Sequence, residues 1–162
     1  MKYNIIEIEL AQINLLTEAD NVCGVFFNSS KHQTILRKMN YNVAQEKSQF
    51  VSHVSRQLQE YFSGKLKKFD IPYKFMGGTE FQRKVWNILE NIPYGATKTY
   101  QEIADEVGNP KAVRAVANAV GMNSLSIIVP CHRVIGSDGK LHGYAGGVSM
   151  KERLLEIESK LY

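Results

Sequence analysis

The chain has 162 residues, of which 44% are hydrophobic, and it carries a formal net charge of +4. This length fits one ordinary domain or two small ones around a buried core. The weak positive charge permits a nucleic-acid partner but does not indicate one. No apolar run reaches the length of a membrane span, and Glu7 and Glu9 interrupt the apolar start where a signal peptide needs continuity. We therefore expect a cytoplasmic protein with no membrane partner.

The two cysteines, Cys23 and Cys131, lie far apart and form no Cys-x-x-Cys pair. Their spacing indicates neither a disulfide framework nor a zinc site. We expect both thiols to be reduced, and we expect no bound metal.

The N-terminal half has the pattern of a small antiparallel sheet followed by a helix. Apolar and polar residues alternate over residues 3–10, and two further strand patterns cover residues 14–17 and 22–27. A polar stretch follows. Apolar residues then recur at helical spacing up to Gly64: Val51, Val54, Leu58, Tyr61 and Phe62. We assign every apolar residue of this helix to the core.

Gly77 and Gly78 separate this half from a helical one. We divide the chain there into an N-terminal domain, residues 1–76, and a C-terminal domain, residues 77–162. The expected fold class is α+β, with the sheet and its helix in the first domain and helices in the second.

Capping boxes predict where helices of the second domain begin. Each pairs a serine or threonine with a glutamine or glutamate three residues later: Thr79 with Gln82, Thr99 with Glu102, and Ser149 with Glu152. Asn109 is expected to cap a further helix, with Pro110 at its first position. Since Gly108 ends the helix before it, these two helices predict a helix-turn-helix unit.

The helix after Pro110 has an unusual surface. Valines at positions 113, 116 and 120 fall on one face, whereas the opposite face carries small or polar residues and one arginine: Lys111, Arg114, Ala115 and Asn118. A helix that reads the major groove uses several long polar side chains, which this face lacks. It suits close contact with a minor groove, with Arg114 entering the base stack. An alanine-rich packing helix with a solvated arginine is an equally good interpretation of this stretch alone.

The most informative stretch is IIVPCHRVIG, residues 127–136. Three β-branched residues before a proline predict a buried strand that ends abruptly, with Cys131 at its end. His132 and Arg133 could supply positive potential that makes this thiol a nucleophile. Glu158, on the last helix, is a candidate partner for His132. A cysteine in an apolar run is more often an inert core residue, so both interpretations stay open here.

Five segments of the C-terminal half closely resemble the O6-alkylguanine-DNA alkyltransferases, or methylated-DNA–protein-cysteine methyltransferases, and follow the same order: FQRKVWNILENIPYGATKTYQEIA, NPKAVRAVANAVGMN, IIVPCHRVIG, GYAGG and KERLLEIE. The PCHRV and IPYG motifs and the alanine-rich helix are highly specific for this family. The N-terminal half matches loosely, and the resemblance implies a ribonuclease-H-like fold for it.

The resemblance also implies an activity. It indicates DNA repair by stoichiometric, irreversible transfer of the alkyl group from O6-alkylguanine in duplex DNA to a cysteine, after minor-groove binding and base flipping. O4-alkylthymine is an alternative substrate. The implied partner is double-stranded DNA containing O6-alkylguanine, and we expect a monomer that needs no cofactor.

Roles follow residue by residue from the resemblance. Cys131 is the implied alkyl acceptor, His132 the base that acts through a water, and Glu158 the group that orients it. Tyr100 matches a tyrosine that donates a hydrogen bond to the guanine, and Arg114 matches an arginine finger that replaces the flipped nucleotide. Asn123 matches the hinge asparagine. The further DNA contacts implied besides Tyr100 are Lys111, Ala115, Asn118 and Arg133. The implied lining of the base pocket is Val134, Tyr144, Ala145 and Ser126.

Three positions depart from the family pattern. Ala145 stands where many relatives carry serine, so the backbone N–H alone remains to contact the alkylated oxygen. Ser124 stands where relatives often have proline, which leaves the hinge loop less restrained. Ser126 stands where some members have proline. These changes concern substrate range and rate.

Two other functions remain in competition. One is a turnover thiol hydrolase that uses Cys131, His132 and Glu158. Because adjacent residues of an extended segment point to opposite faces, a direct hydrogen bond between Cys131 and His132 is awkward and a water relay is favoured. The other is a lesion sensor that binds DNA without reacting, although such sensors lack the acceptor cysteine.

Overall fold

The structure is a computed structural model that describes residues 1–37, 42–43 and 48–159. Its elements follow in chain order: β1 (Lys2–Ile8), β2 (Ala11–Glu18), β3 (Asn21–Phe27), α1 (Ser30–Arg37), β4 (Asn42–Val43), α2 (Gln49–Phe62), α3 (Glu80–Glu90), β5 (Lys98–Thr99), α4 (Tyr100–Glu106), α5 (Val113–Gly121), a 3₁₀ turn (Cys131–Arg133), β6 (Val134–Ile135) and α6 (Val148–Ser159). The architecture is α+β, as the sequence predicts.

The N-terminal sheet has the order β3-β2-β1-β4. β1, β2 and β3 are antiparallel, whereas the short β4 pairs in parallel with β1, so the predicted antiparallel sheet is correct for its three long strands. Ala19 and Asp20 join β2 to β3 with φ angles of 48° and 54°, as tight hairpins require. The helix α1 was not predicted, because its sequence contains little apolar periodicity beyond Ile35 and Leu36.

The predicted helix before Gly64 is α2. The Ser48 hydroxyl caps it by accepting a hydrogen bond from the Val51 N–H, and the helix buries Val54 and Leu58 as expected for its apolar stripe. These residues share one core with inward residues of the sheet and with the C-terminal helices. The helix therefore joins the two halves of the chain through its buried face.

The C-terminal helices α3 and α4 begin as predicted, since Thr79 and Thr99 both form complete capping boxes. The prediction that Asn109 caps the next helix is wrong. The Ala112 N–H donates to the Asn109 carbonyl at 2.9 Å, which makes a separate turn, and α5 begins at Val113. The capping box predicted from Ser149 and Glu152 does not start α6, because this helix already begins at Val148. Residues 107–112 connect α4 to α5, and the two helices pack together.

The edge of β3 holds two segments of the chain beyond the N-terminal sheet. Four backbone hydrogen bonds form this contact: Val22 N to Pro72 O at 2.9 Å, Lys74 N to Val22 O at 2.9 Å, Val25 N to Ser124 O at 2.7 Å, and Ser126 N to Val25 O at 3.2 Å. The loop that leads to the predicted acceptor cysteine is therefore paired with the N-terminal sheet.

Gly78 lies where the chain passes from one half to the other. Its φ is +88°, and a Cβ there would come 2.5 Å from the Trp86 ring. A larger residue would meet both backbone strain and a clash, so this position requires glycine. Within the described ranges, no helix is both long and apolar enough to cross a bilayer.

Candidate active site

The predicted buried strand before Cys131 is wrong, although Ile127 and Val129 are buried. The chain instead makes two three-residue turns. At the first, Ile127 has a φ of 74° and the Ile128 N–H donates to the Ser126 carbonyl at 2.9 Å. This is the rare positive-φ form of the γ-turn, which costs a β-branched residue roughly 1–3 kcal/mol.

The second turn presents the thiol. Pro130 has φ and ψ of −81° and 63°, and the Cys131 N–H donates to the Val129 carbonyl at 2.8 Å, which is an inverse γ-turn. Cys131 and His132 then lie in the 3₁₀ turn rather than on an extended segment. The expectation that they point to opposite faces of a strand therefore loses its basis.

Asn123 stabilises this irregular loop. Its side-chain N–H donates to the Val129 carbonyl at 2.9 Å, and its side-chain oxygen accepts from the Leu125 N–H at 2.9 Å. Asn123 is almost fully buried, so these bonds replace the ladder bonds that a strand would have made. The amide thus accounts for a local backbone that strand propensity does not predict.

The Cys131 side chain is nearly buried, with 4% of its surface exposed. Burial raises the pKa of the thiol, and the opposing effects of Asn123 and Lys151 do not offset it. Arg133, which was expected to supply positive potential to the thiol, instead forms an ion pair with Glu158 at 2.9 Å. A protonated thiol in this position needs a base before it can act as a nucleophile.

His132, the residue after Cys131, belongs to a buried network that we call the relay. The relay consists of Tyr61, His132, Arg133 and Glu158. The Glu158 Oε1 atom lies 2.9 Å from His132 Nε2 and accepts from Arg133 Nη2 at 2.9 Å and from the Tyr61 hydroxyl at 2.5 Å. The Oε2 atom accepts from Arg133 Nε and from the Gly95 N–H, each at 3.0 Å. Every lone pair of this carboxylate therefore has a donor in place.

The relay fixes the tautomer of His132. Since Nε2 lies against the Glu158 carboxylate, the ring proton belongs on Nε2 and the lone pair on Nδ1. The buried Nδ1 atom has no hydrogen-bond partner within the part of the chain that the structure describes. A lone pair left in this way is available to accept a proton.

Electrostatics keep the base and its partner in the required states. Burial lowers the pKa of His132, and Glu158 opposes this only in part, so the imidazole is neutral at neutral pH. Burial alone would raise the pKa of Glu158, but hydrogen bonds from His132, Arg133 and Tyr61 lower it well below its usual range. The glutamate is therefore an anion that can stabilise an imidazolium.

Tyr100 lies at the start of α4, half-buried and facing the site. Its hydroxyl donates to the His142 carbonyl at 3.3 Å, and the Lys151 ammonium sits 5.9 Å from its ring centroid. Burial and the nearby Cys131 raise the pKa of this phenol, which keeps it a proton donor. Lys151 is fully buried and donates to the same carbonyl at 3.0 Å, and burial lowers its pKa to about 8.

The predicted pocket residues lie on the segments around Cys131. Val134 and Ser126 are fully buried, and Ala145 is 9% exposed. The Tyr144 hydroxyl is buried close to Cys131 and Ser126. Its pKa is raised well above the usual value by burial and by the proximity of Cys131. A buried hydroxyl beside the thiol is a donor that a ligand could engage.

The α5 face, by which we mean Arg114, Ala115 and Asn118 of α5 together with Lys111 just before the helix, is exposed at all four residues. The opposite side of the helix packs inward as predicted, with Val116 and Val120 buried. No ion pair involves Arg114 within the described residues. Arg133, expected at this surface, is instead buried in the relay and also donates to the Ile92 carbonyl at 2.6 Å. It is therefore unavailable to a DNA backbone.

Sequence reasoning missed Tyr61 and Lys151. Tyr61 was assigned to the core with its apolar neighbours, and its hydroxyl was the available signal, because a buried tyrosine must find a hydrogen-bond partner. Lys151 precedes the inward Leu154 by three residues and Glu158 by seven, so all three share one helix face. Two charged residues at inward positions are the signal that α6 lines a site.

Comparisons with known proteins identify the family of this chain. The family model described as "6-O-methylguanine DNA methyltransferase, ribonuclease-like domain" matches residues 1–75, and its DNA binding domain model matches residues 80–160. A methylated-DNA–protein-cysteine methyltransferase of Bacillus subtilis is 41% identical over 161 residues, which cover 99% of this chain and 96% of that protein. One from Methanosarcina acetivorans is 57% identical over 113 residues, covering 70% and 72%.

Solved structures give the same result. The crystal structure of Mycobacterium tuberculosis OGT in complex with DNA superposes with a TM-score of 0.83 at 38% identity, covering 98% of this chain and 93% of that one. The chain belongs to the 6-O-methylguanine DNA methyltransferase family. It is accordingly a DNA repair enzyme of the methylated-DNA–protein-cysteine methyltransferase class.

Proposed function

We propose that this enzyme removes the alkyl group from O6-alkylguanine in duplex DNA by transferring it to Cys131, once per protein molecule. The observation that carries the proposal is the state of His132. Its Nε2 atom is committed to Glu158, while its buried Nδ1 atom is free and belongs to the residue directly after the thiol. A neutral, oriented base beside a protonated buried cysteine is the pairing that nucleophilic thiol chemistry needs.

The transfer step balances in protons and electrons. The Cys131 thiol gives its proton to His132 Nδ1 through a water, and Glu158 stabilises the imidazolium that forms. The thiolate attacks the alkyl carbon, so a sulfur–carbon bond forms as the bond between carbon and the guanine oxygen breaks. The electron pair of that bond stays on the purine, which takes up a proton and leaves as guanine, and the imidazolium gives up the proton that it took from the thiol.

Donors around the thiol suit the charge that develops on the purine. Tyr100, whose phenol has a raised pKa, and the buried hydroxyl of Tyr144 both lie near Cys131. The Ala145 N–H supplies the contact that a serine hydroxyl shares in many relatives. Fixed donors of this kind stabilise a leaving group without reorganisation during the reaction.

Access requires base flipping. With 4% of its surface exposed, Cys131 cannot approach an alkylated oxygen that is stacked in a duplex. Unstacking costs about a few kcal/mol and is cheapest for a lesion that pairs poorly. The α5 face, with small side chains around Arg114, suits close contact with a minor groove, where the arginine can fill the vacated place.

Intact-protein mass after incubation with a duplex containing O6-methylguanine tests the proposal, with Cys131→Ser as the matched variant. We expect the mass of one methyl group to be added to the native chain and none to the variant, with repair stopping at one lesion per protein. Repair beyond that ratio would indicate a hydrolase. An unchanged mass with retained affinity for the lesion would indicate a sensor. A second duplex carrying O4-methylthymine asks whether that base is also a substrate.

A further inference from the structure

Tyr61 brings the N-terminal domain into contact with the reacting groups. It lies on α2, yet its hydroxyl is 2.5 Å from Glu158 Oε1 and 3.1 Å from His132 Nε2. These partners are 97 and 71 residues away in the sequence. Because the side chain is fully buried, the hydroxyl cannot exchange these contacts for water.

Aromatic packing fixes the position of this hydroxyl. The Tyr61 ring meets Phe69 at a centroid distance of 5.2 Å, Phe62 at 5.9 Å and Tyr94 at 6.2 Å. It also lies edge-on to the His132 ring, 6.4 Å away. A ring held from several directions cannot swing to another rotamer without leaving a cavity, so its hydroxyl is a fixed donor.

The hydroxyl shares an acceptor with the base. It has one proton, and the shorter contact, to Glu158 Oε1, takes it. His132 Nε2 uses the same oxygen at 2.9 Å. The hydrogen bond from Tyr61 therefore withdraws charge from the oxygen that orients the imidazole, and it also prevents the carboxylate from rotating away.

We propose that Tyr61 is a positioning residue for alkyl transfer, whose hydroxyl holds the Glu158 carboxylate so that His132 keeps its Nε2–H tautomer and directs Nδ1 to the thiol. This inference rests on the function proposed above. The ribonuclease-like domain then contributes to the chemistry itself, through one atom of α2.

The sign of the pH effect follows from the groups around His132. Four titratable or charged side chains act on it from three elements: Glu158 and Lys151 on α6, Arg133 in the 3₁₀ turn, and Tyr61 on α2. Without the Tyr61 hydroxyl, the Glu158 carboxylate attracts the proton on Nε2 more strongly. The hydroxyl oxygen also lies 3.1 Å from Nε2, but the loss of this longer contact has the smaller effect on the pKa of His132. Removal of the hydroxyl should therefore raise the pH at which His132 becomes protonated.

Tyr61→Phe tests the inference, with Tyr94→Phe as the matched control. Tyr94 belongs to the same aromatic cluster, but its hydroxyl donates to the Ile157 carbonyl and not to the relay. We would measure single-turnover methyl transfer from a methylated duplex across acid and neutral pH. In Tyr61→Phe the plateau rate should fall about tenfold, a part of what a general base supplies. The acid limb should move up by about one pH unit. Tyr94→Phe should change neither.

The outcomes separate the two proposals. If the native chain transfers methyl groups and Tyr61→Phe keeps both its plateau and its acid limb, the positioning role is overturned while the function stands. If the native chain transfers nothing, the function itself fails. Should Tyr61→Phe not fold, 3-fluorotyrosine placed at position 61 keeps the ring and gives a stronger donor. It should move the acid limb to lower pH, and an unmoved limb would refute the role.

Discussion

The relay and the α5 face differ in how their polar side chains are paired. In the relay, Glu158 is fully buried and both of its oxygens accept hydrogen bonds from groups on other elements. On the α5 face, Arg114 is exposed and makes no ion pair within the described residues. The relay is therefore preorganised in the folded protein, whereas the proposed DNA surface keeps its polar groups free for a partner.

Glu158→Gln should give the largest effect, because it breaks the relay at its centre. The amide cannot balance the Arg133 charge or stabilise an imidazolium, so transfer should fall about a hundredfold or more. Loss of one partner of a buried ion pair should also cost about 3 kcal/mol of the free energy of unfolding. Single-turnover rates and urea denaturation measure these two losses.

The same variant has a pH signature. The folded-state pKa of Glu158 lies below its usual value of 4.5, so its stabilising effect is complete above that pH and is lost as the pH falls through the folded-state pKa. Native stability should therefore decline in acid more steeply than that of Glu158→Gln. Glu152→Gln, at an exposed position of the same helix, provides the control. Equal acid slopes in all three proteins would contradict the assigned charge state.

Arg114→Ala tests the α5 face in the same way. Since a duplex requires base extrusion and a free base does not, repair of duplex DNA should slow about tenfold or more while reaction with free O6-benzylguanine is unchanged. Arg56→Ala removes the same charge from an exposed site on α2 and should affect neither reaction. Equal losses with both substrates would remove the finger role from Arg114.

Tyr100→Phe should give the smallest of these effects. It deletes a donor to the purine, but Tyr144 and the Ala145 N–H remain, so we expect transfer to slow several-fold up to about tenfold. The hydroxyl makes a long hydrogen bond of 3.3 Å, and the melting temperature should barely change. Quenched time courses with methylated duplex measure the rate constant of methyl transfer, and an undiminished value would exclude Tyr100 as a donor.

Local signals predicted the starts of two helices, α3 and α4, but not those of α5 and α6. The capping boxes at Thr79 and Thr99 place the first turns of α3 and α4, because both partners of each box lie within one turn. The β-branched run at residues 127–129 misled for the converse reason. Its backbone follows hydrogen bonds from the nearby Asn123 side chain, which strand propensity does not register, and the pairing of the loop with β3, which is distant in sequence.

The candidate site divides in the same way. Cys131 and His132 are visible in one motif, and Glu158 could be proposed as a partner from its place beside an apolar stripe. The hydroxyl of Tyr61 could not be linked to them, because its helix is identified by apolar spacing and its contacts come from the far end of the chain. Burial of Arg133 likewise depends on how α6 packs against the 3₁₀ turn.

The pairing of the acceptor loop with the edge of β3 has a consequence for inactivation. Two backbone hydrogen bonds at Val25 tie the loop to the first domain, while the α5 face depends on packing among α3, α4 and α5. Fraying at that edge would spoil the geometry around the sulfur and leave the DNA-facing helix intact. On gentle heating, the protein should lose its repair activity before it loses DNA binding. It would then stay bound to lesions that it can no longer repair.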